Sequence, residues 1–224
     1  MTSENQSATL PGLFEQERAV DEIYNFAQDS TLLRNFVGNQ DHQIIALIEQ
    51  ITEQAPFRRM STPGGRQMSV EMSNCGHFGW VTDRKGYRYS AKDPQSESPW
   101  PAMPTGFQEL ATAAARKAGF EGFHPDSCLI NRYQPGARLG LHQDRDERDF
   151  SAPIVSVSLG LPAIFLFGGA KRSEKQTRIP LEHGDVLVWG GTSRLNHHGI
   201  QPLEEGRHSL LGACRINLTF RKAS

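Results

Sequence analysis

Residues 153–167 read PIVSVSLGLPAIFLF, the most apolar stretch of the 224-residue chain. A membrane-crossing helix needs about 20 consecutive apolar residues, and Ser156, Ser158, Gly160 and Pro162 break this run well before that. It reads instead as two short strands on either side of a Gly/Pro turn. Runs of the same kind flank it: SCLINRY at 127–133, DVLVW at 185–189 and RINLTF at 215–220, each bounded by Gly, Pro or charged turns. Such a series needs a sandwich or a barrel to bury its faces. Upstream of Ser127 the period changes. Ile44, Ile45, Leu47, Ile48 and Ile51 predict a helix over 41–54 with Asp41 as its cap. Phe107, Leu110, Ala111 and Ala114 predict a second from Thr105 to about Ala118, ended by Gly119. The expectation is therefore a mainly β (α+β) chain, with a helix-buttressed N-terminal part laid against an antiparallel β-sandwich.

The length suits one sizeable core, so a single domain is expected. With 37% apolar and 22% charged residues the chain belongs with globular proteins. Three cysteines, Cys75, Cys128 and Cys214, form no C-x-x-C pair, which argues against a disulfide framework or a structural zinc site and fits a reducing cytoplasm. The net charge of −1 excludes a protein that coats nucleic acid by overall basicity, but the charge is unevenly placed. Residues 1–30 carry six acids against one arginine, and 1–12 read as a loose tail. Residues 57–90 carry six cations against two acids and also hold Trp80, Tyr87 and Tyr89, a mixture that suits phosphates and exposed bases or an ordinary solvated loop with packed aromatics.

Chemistry concentrates in two stretches. In LHQDRDERD, residues 141–149, six of nine side chains are Asp, Glu or Arg and a seventh is His. Alone, this reads as a solvated charged turn. Yet on extended backbone the outer residues of an H-x-D triplet share a face, so His142 and Asp144 can approach one cation together. Two His and one carboxylate leave open positions on iron(II) for a cosubstrate and dioxygen. The third ligand falls among His183, His197, His198 and His208. His183 sits at a Gly-Asp turn and is expected to support it, while His197 and His198 face opposite ways and periodicity does not choose between them. In CRINLTFR, residues 214–221, Arg215, Asn217, Thr219 and Arg221 alternate with Ile216, Leu218 and Phe220. A surface strand shows the same alternation. The rival reading is a dicarboxylate clamp, with the two Arg Cα atoms roughly 20 Å apart and their side chains leaning inward. Asn131 and Tyr133 share a face two residues apart and offer an amide and a phenol to the same ligand.

The ordered set NRY, LHQDRDE, SRLNHHGI and CRINLTFR, with TPGG, NCGHFGW, DPQ and PWPAMP upstream, closely resembles the AlkB family of iron(II)- and 2-oxoglutarate-dependent dealkylating dioxygenases, nearest its bacterial members. The resemblance runs from Phe57 to Arg221. It implies a double-stranded β-helix (jelly-roll) core over 127–222, N-terminal helices, a nucleotide-recognition lid over 57–90 and a variable extension over 1–30. By resemblance His142, Asp144 and His198 are the iron ligands, and Asn131, Tyr133, Arg215, Asn217 and Arg221 hold 2-oxoglutarate. Trp80, Tyr87, Arg88, Tyr89, Asp146 and Arg172 match positions that meet the nucleic acid. Asn196-His197 departs from the aromatic residues expected before the last ligand, which alters packing beside the iron but not ligation.

The activity implied is oxidative demethylation of 1-methyladenine and 3-methylcytosine in single-stranded DNA, and in RNA, by a cytoplasmic monomer that binds no membrane. The methylated base must leave its stack to reach the iron. Both lesions are cations, and Asp146, directed like Asp144, is placed to favour them. The alternatives are an RNA- or protein-directed dealkylase of the same family, or a binding module without catalysis. The last would lack a ligand or a clamp arginine, and none is missing.

Overall fold

Alternation along the strands sets the layering: two antiparallel sheets face each other, and helices cover the outer face of the larger. The computed structural model describes residues 22–224, so the tail expected at 1–12 and most of the 1–30 extension lie outside the described residues. The N-terminal half holds β1 (Ile23–Ala27), β2 (Ser30–Leu33), α1 (Asp41–Gln54), β3 (Arg58–Ser61), β4 (Gln67–Gly76), β5 (Gly79–Asp83), β6 (Gly86–Ser90) and α2 (Thr105–Lys117). The C-terminal half holds β7 (Ser127–Tyr133), β8 (Leu139–His142), β9 (Ile154–Gly160), β10 (Ala163–Phe167), β11 (Thr177–Leu181), β12 (Val186–Trp189), β13 (His198–Ile200) and β14 (Arg215–Arg221). The major sheet runs β1-β2-β12-β9-β14-β7-β4-β3, the minor sheet β11-β10-β13-β8, and β5-β6 forms a separate hairpin.

Every residue of β14 and β9 is buried, because the centre of the major sheet is covered on both faces. Its outer set, Val155, Val157, Ile216, Leu218 and Phe220, joins Ile44, Ile48, Phe107 and Ala111 of the two helices in one core. Its inner set meets the minor sheet. There Leu187, Trp189 and Leu129 pack with Phe165, Phe167 and Ile179 in a second core. The apolar residues of CRINLTFR thus hold the strand against the helices, and its polar residues are turned into the space between the sheets. The surface-strand reading of CRINLTFR does not hold.

Three expectations needed revision. The N-terminal part does not merely buttress the sandwich, since β1 and β2 extend one edge of the major sheet, and β3 and β4 the other. These strands carry mixed polar sequence, and partners far along the chain determine them: β2 pairs with β12 and β4 with β7. Asp41 does not cap its helix. Gln40 is the N-cap without a side-chain bond, and Asp41 Oδ2 lies 3.3 Å from His183 Nε2. His183 Nδ1 in turn accepts the Gly160 N–H at 2.9 Å, so it holds the end of β9 and not the Gly184-Asp185 turn expected of it.

Candidate active site

Three side chains from two places in the sequence meet between the sheets. His142 ends β8 and His198 begins β13, and the two are direct cross-strand partners. Gly199 makes this pairing possible, since a Cβ there would stand 2.7 Å from the Leu139 carbonyl oxygen across the β8–β13 contact. The ligand atoms of His142, Asp144 and His198 all lie within 4.8 Å of one another. Each imidazole has its Nδ1 on a backbone carbonyl, His142 on Gly140 at 2.9 Å and His198 on Asn196 at 3.0 Å. Nδ1 therefore carries the proton, and Nε2 presents a lone pair inward. The two Nε2 atoms stand 3.6 and 3.7 Å from the Asp144 carboxylate.

Electrostatics favour deprotonated ligands. Burial, with the neighbouring His142 adding to it, lowers His198 to about 3, against the opposing pull of Asp144. Burial alone would raise the Asp144 carboxyl, but the Arg221 guanidinium and the two imidazoles hold it well below the usual range.

Asn131, Tyr133, Arg215, Asn217 and Arg221 line the same cavity, of about 390 Å³. Arg215 is 1% exposed. Its Nη2 donates to Ser158 Oγ at 3.0 Å, while its Nε and Nη1, like Arg221 Nη1 and Asn131 Oδ1, are buried without a hydrogen-bond partner among the described residues. Tyr133 lies under the Arg215 guanidinium, 5.0 Å from its ring centre. Asn217 spends its amide within the sheet, donating to Ser156 Oγ and the Val157 carbonyl and accepting from Thr219 Oγ1. It lines the cavity but braces its wall.

At the rim, Trp80 and Tyr87 stack with ring centres 5.7 Å apart, and Trp80 Nε1 donates to Asp146 Oδ2 at 2.8 Å. Asn74 fixes this hairpin by exchanging two hydrogen bonds with the Trp80 backbone. Arg172 also reaches the rim, donating to the Leu141 carbonyl at 2.6 Å. Arg88 and Tyr89 are not among the residues lining the cavity. Arg88 is held by both oxygens of Asp83, and the Tyr89 hydroxyl donates to Glu147.

The family model of the 2OG-Fe(II) oxygenase superfamily matches residues 29–221. Over 197 residues the chain is 60% identical to the alpha-ketoglutarate-dependent dioxygenase AlkB of Escherichia coli strain K12, covering 88% of this chain and 91% of that one. The chain belongs to the AlkB family. More distantly, it is 37% identical over 121 residues to the nucleic acid dioxygenase ALKBH1 of Mus musculus, covering 54% of this chain and 31% of that protein. The solved structure of OsALKBH1 superposes with a TM-score of 0.79 at 28% identity, covering 90% of this chain and all of that one. The jelly-roll architecture expected from the sequence is thereby established.

AlkB-family membership brings iron(II) and 2-oxoglutarate as cofactor and cosubstrate, and the residues present fit both. Two imidazoles and a carboxylate form a donor set for iron(II) with positions left open. The buried donors on Arg215 and Arg221 lack an acceptor that a dicarboxylate would provide, and a buried charge without one is costly. Three contributors escaped the reading of this AlkB-family sequence. Ser156 and Ser158 look like interruptions of an apolar run, yet they stand opposite Thr219 and Asn217 in the β9–β14 register. Their period-2 spacing was the available signal. Glu147 lies beyond the strand, where no periodicity marks it.

Proposed function

We propose that this chain repairs alkylated nucleic acid by oxidative demethylation, acting on 1-methyladenine and 3-methylcytosine in single-stranded DNA and also in RNA. In this reading His142, Asp144 and His198 hold the iron, and Arg215, Arg221, Asn131, Tyr133 and Asn217 form the pocket for 2-oxoglutarate. The carrying observation is that three metal-ligand side chains and the unpartnered guanidinium donors share one cavity whose rim bears Trp80 and Asp146. When bound, iron and 2-oxoglutarate would supply the oxidation: 2-oxoglutarate would lose carbon dioxide and become succinate with one atom of dioxygen, and the other atom would enter the methyl group.

The protein's own residues select and place the base. The Trp80 indole, oriented by its bond to Asp146, offers a flat surface to an extruded base, and unpaired or damaged bases leave the stack most readily. Asp146 sets a negative charge at the rim, which favours the cationic lesions over their neutral parents. Tyr87 and Arg172 are placed to meet the flanking strand, while Arg88 is held within the hairpin by Asp83 and Tyr89, cross-strand partner of Trp80, ties the hairpin to Glu147. The methyl group would sit beside the His142, Asp144 and His198 side chains that would hold the iron, and the hydroxymethyl product would then lose formaldehyde to leave the repaired base. The whole chain works as one domain, a 127–222 core under a 57–90 lid with a variable 1–30 extension, as a cytoplasmic monomer. Among the described residues no helix is long and apolar enough to cross a membrane.

The test is incubation with methylated single-stranded DNA, methylated RNA or a methylated peptide, together with ferrous iron, ascorbate and 2-oxoglutarate. Equimolar formaldehyde and succinate from the DNA are expected. Turnover confined to the peptide rejects the substrate, and absence of turnover on all three points to a binding module.

A further inference from the structure

Behind the iron site lies a closed group of charges in which one carboxylate has no part in ligation. The Glu147 side chain is 2% exposed. Its Oε1 accepts the Tyr89 hydroxyl at 2.6 Å and stands 3.4 Å from Arg221 Nε, while its Oε2 stands 3.2 Å from Arg194 Nη2. Arg221 directs Nε and Nη2 at a single oxygen, Asp144 Oδ2. Arg194 donates to the backbone carbonyl of Asp144 at 2.8 Å. Two guanidiniums and two carboxylates thus balance in a buried group, where a lone charge would be strongly destabilising. Tyr89 is the one member that comes from the β5–β6 hairpin, which carries Trp80.

We propose that Glu147 is a positioning residue that couples the seating of this hairpin to the cosubstrate site. Tyr89 holds Glu147, and Glu147 shares Arg221 with Asp144. That sharing keeps Arg221 from closing as a fork on both oxygens of Asp144, which is the geometry an unshared guanidinium–carboxylate pair prefers. Asp144 Oδ1 is left for the metal, and Arg221 Nη1 is left for the carboxylate of 2-oxoglutarate. Coupling of this kind is reciprocal: a seated hairpin tightens cosubstrate binding, and bound cosubstrate tightens the hairpin. The inference rests on the reading of Arg221 as a cosubstrate ligand, and it gives Tyr89 a task distinct from contact with nucleic acid.

The experiment uses protein loaded with redox-inert Mn(II) and has two readouts that do not depend on turnover. The first is the Kd for 2-oxoglutarate in wild type, Tyr89→Phe, Glu147→Gln and Arg221→Met. The second is amide hydrogen exchange over residues 79–90 with and without 2-oxoglutarate. Loss of one charge-assisted hydrogen bond predicts a Kd raised about tenfold in Glu147→Gln and roughly threefold or more in Tyr89→Phe. Exchange over 79–90 should slow on cosubstrate binding in wild type and not in Tyr89→Phe. If Glu147→Gln does not fold, Tyr89→Phe decides alone, since it keeps the ring and loses only the hydroxyl. A Tyr89→Phe protein with unchanged Kd and an unchanged exchange response overturns the coupling, and so does one that loses only oligonucleotide affinity. An Arg221→Met protein that binds 2-oxoglutarate as wild type does overturns the clamp reading instead.

Discussion

Arg221 donates to one oxygen of Asp144 through two nitrogens, Nε at 3.0 Å and Nη2 at 2.7 Å, and so leaves the other oxygen facing His142. An arginine from the last strand thereby fixes the rotation of a carboxylate that follows β8. Which oxygen can serve a metal is set by a residue 77 positions away in the sequence.

Asp144→Asn removes both the ligand charge and half of this pair. Affinity for Mn(II) and turnover should fall by more than the roughly 10–100-fold typical of losing a group one shell out from a metal. The metal-free protein should also lose about 3 kcal/mol, because a buried guanidinium is left short of a partner. Metal titration and urea unfolding check the two effects separately. Wild-type metal affinity in this variant would remove Asp144 from the ligand set.

Arg215→Met separates stability from function. Two nitrogens of Arg215 are buried without hydrogen-bond partners among the described residues, and replacing a buried charge by an apolar side chain of similar volume is often neutral or stabilising by about 1 kcal/mol or more. The ligand-free variant should therefore melt no lower than wild type, while its KM for 2-oxoglutarate rises about 100-fold through loss of a bidentate ionic contact. A large drop in melting temperature with KM unchanged would assign Arg215 to the scaffold.

Asp146→Asn tests charge selection at the rim. An exposed carboxylate near a cation contributes about 1 kcal/mol, so kcat/KM on 3-methylcytosine should fall roughly fivefold, and that on a neutral N-methylated base should change less. Equal loss on both would leave Asp146 only the task of orienting Trp80.

Acid stability follows from Asp93. Burial would raise its carboxyl, but the bidentate contact with Arg58 and the Gln95 N–H outweigh this and hold it below the usual value. The folded state therefore binds this proton later than the unfolded chain does. Its stabilisation is complete above the unfolded pKa of about 3.9 and is lost as pH falls from there through the folded value. Melting temperatures between about pH 6 and about pH 2 should fall less steeply in Asp93→Asn than in wild type, from a lower plateau, since one group responsible for the slope is gone. An unchanged slope would show that the Arg58 pair contributes nothing to acid unfolding.

Much of the fold was legible from the chain. The helices at 41–54 and 105–117 and the five apolar strand runs stand where periodicity puts them, because a period of 3.6 or 2 follows from burying one face of a helix or strand. The early strands β1 to β4 were not legible, since their stability comes from pairing with distant strands and not from their own composition. In the site, local spacing in H-x-D and R-x-N-x-T-x-R suggested two metal ligands and a clamp, while the third ligand and the 2-oxoglutarate roles came from the family resemblance. Nothing local distinguished Tyr87, which faces the rim, from Tyr89, which is tied to Glu147.

The sequence by itself determined which residues share a face of each strand, and hence that two arginines and an amide would stand on one side of the last strand. Only the tertiary structure decided that His142 and His198 become cross-strand neighbours and that Arg221 is shared between Asp144 and Glu147. Alternation is a property of a strand and can be read along the chain. Register between strands and the pairing of buried charges depend on groups remote in sequence, which meet only when the two sheets close over them.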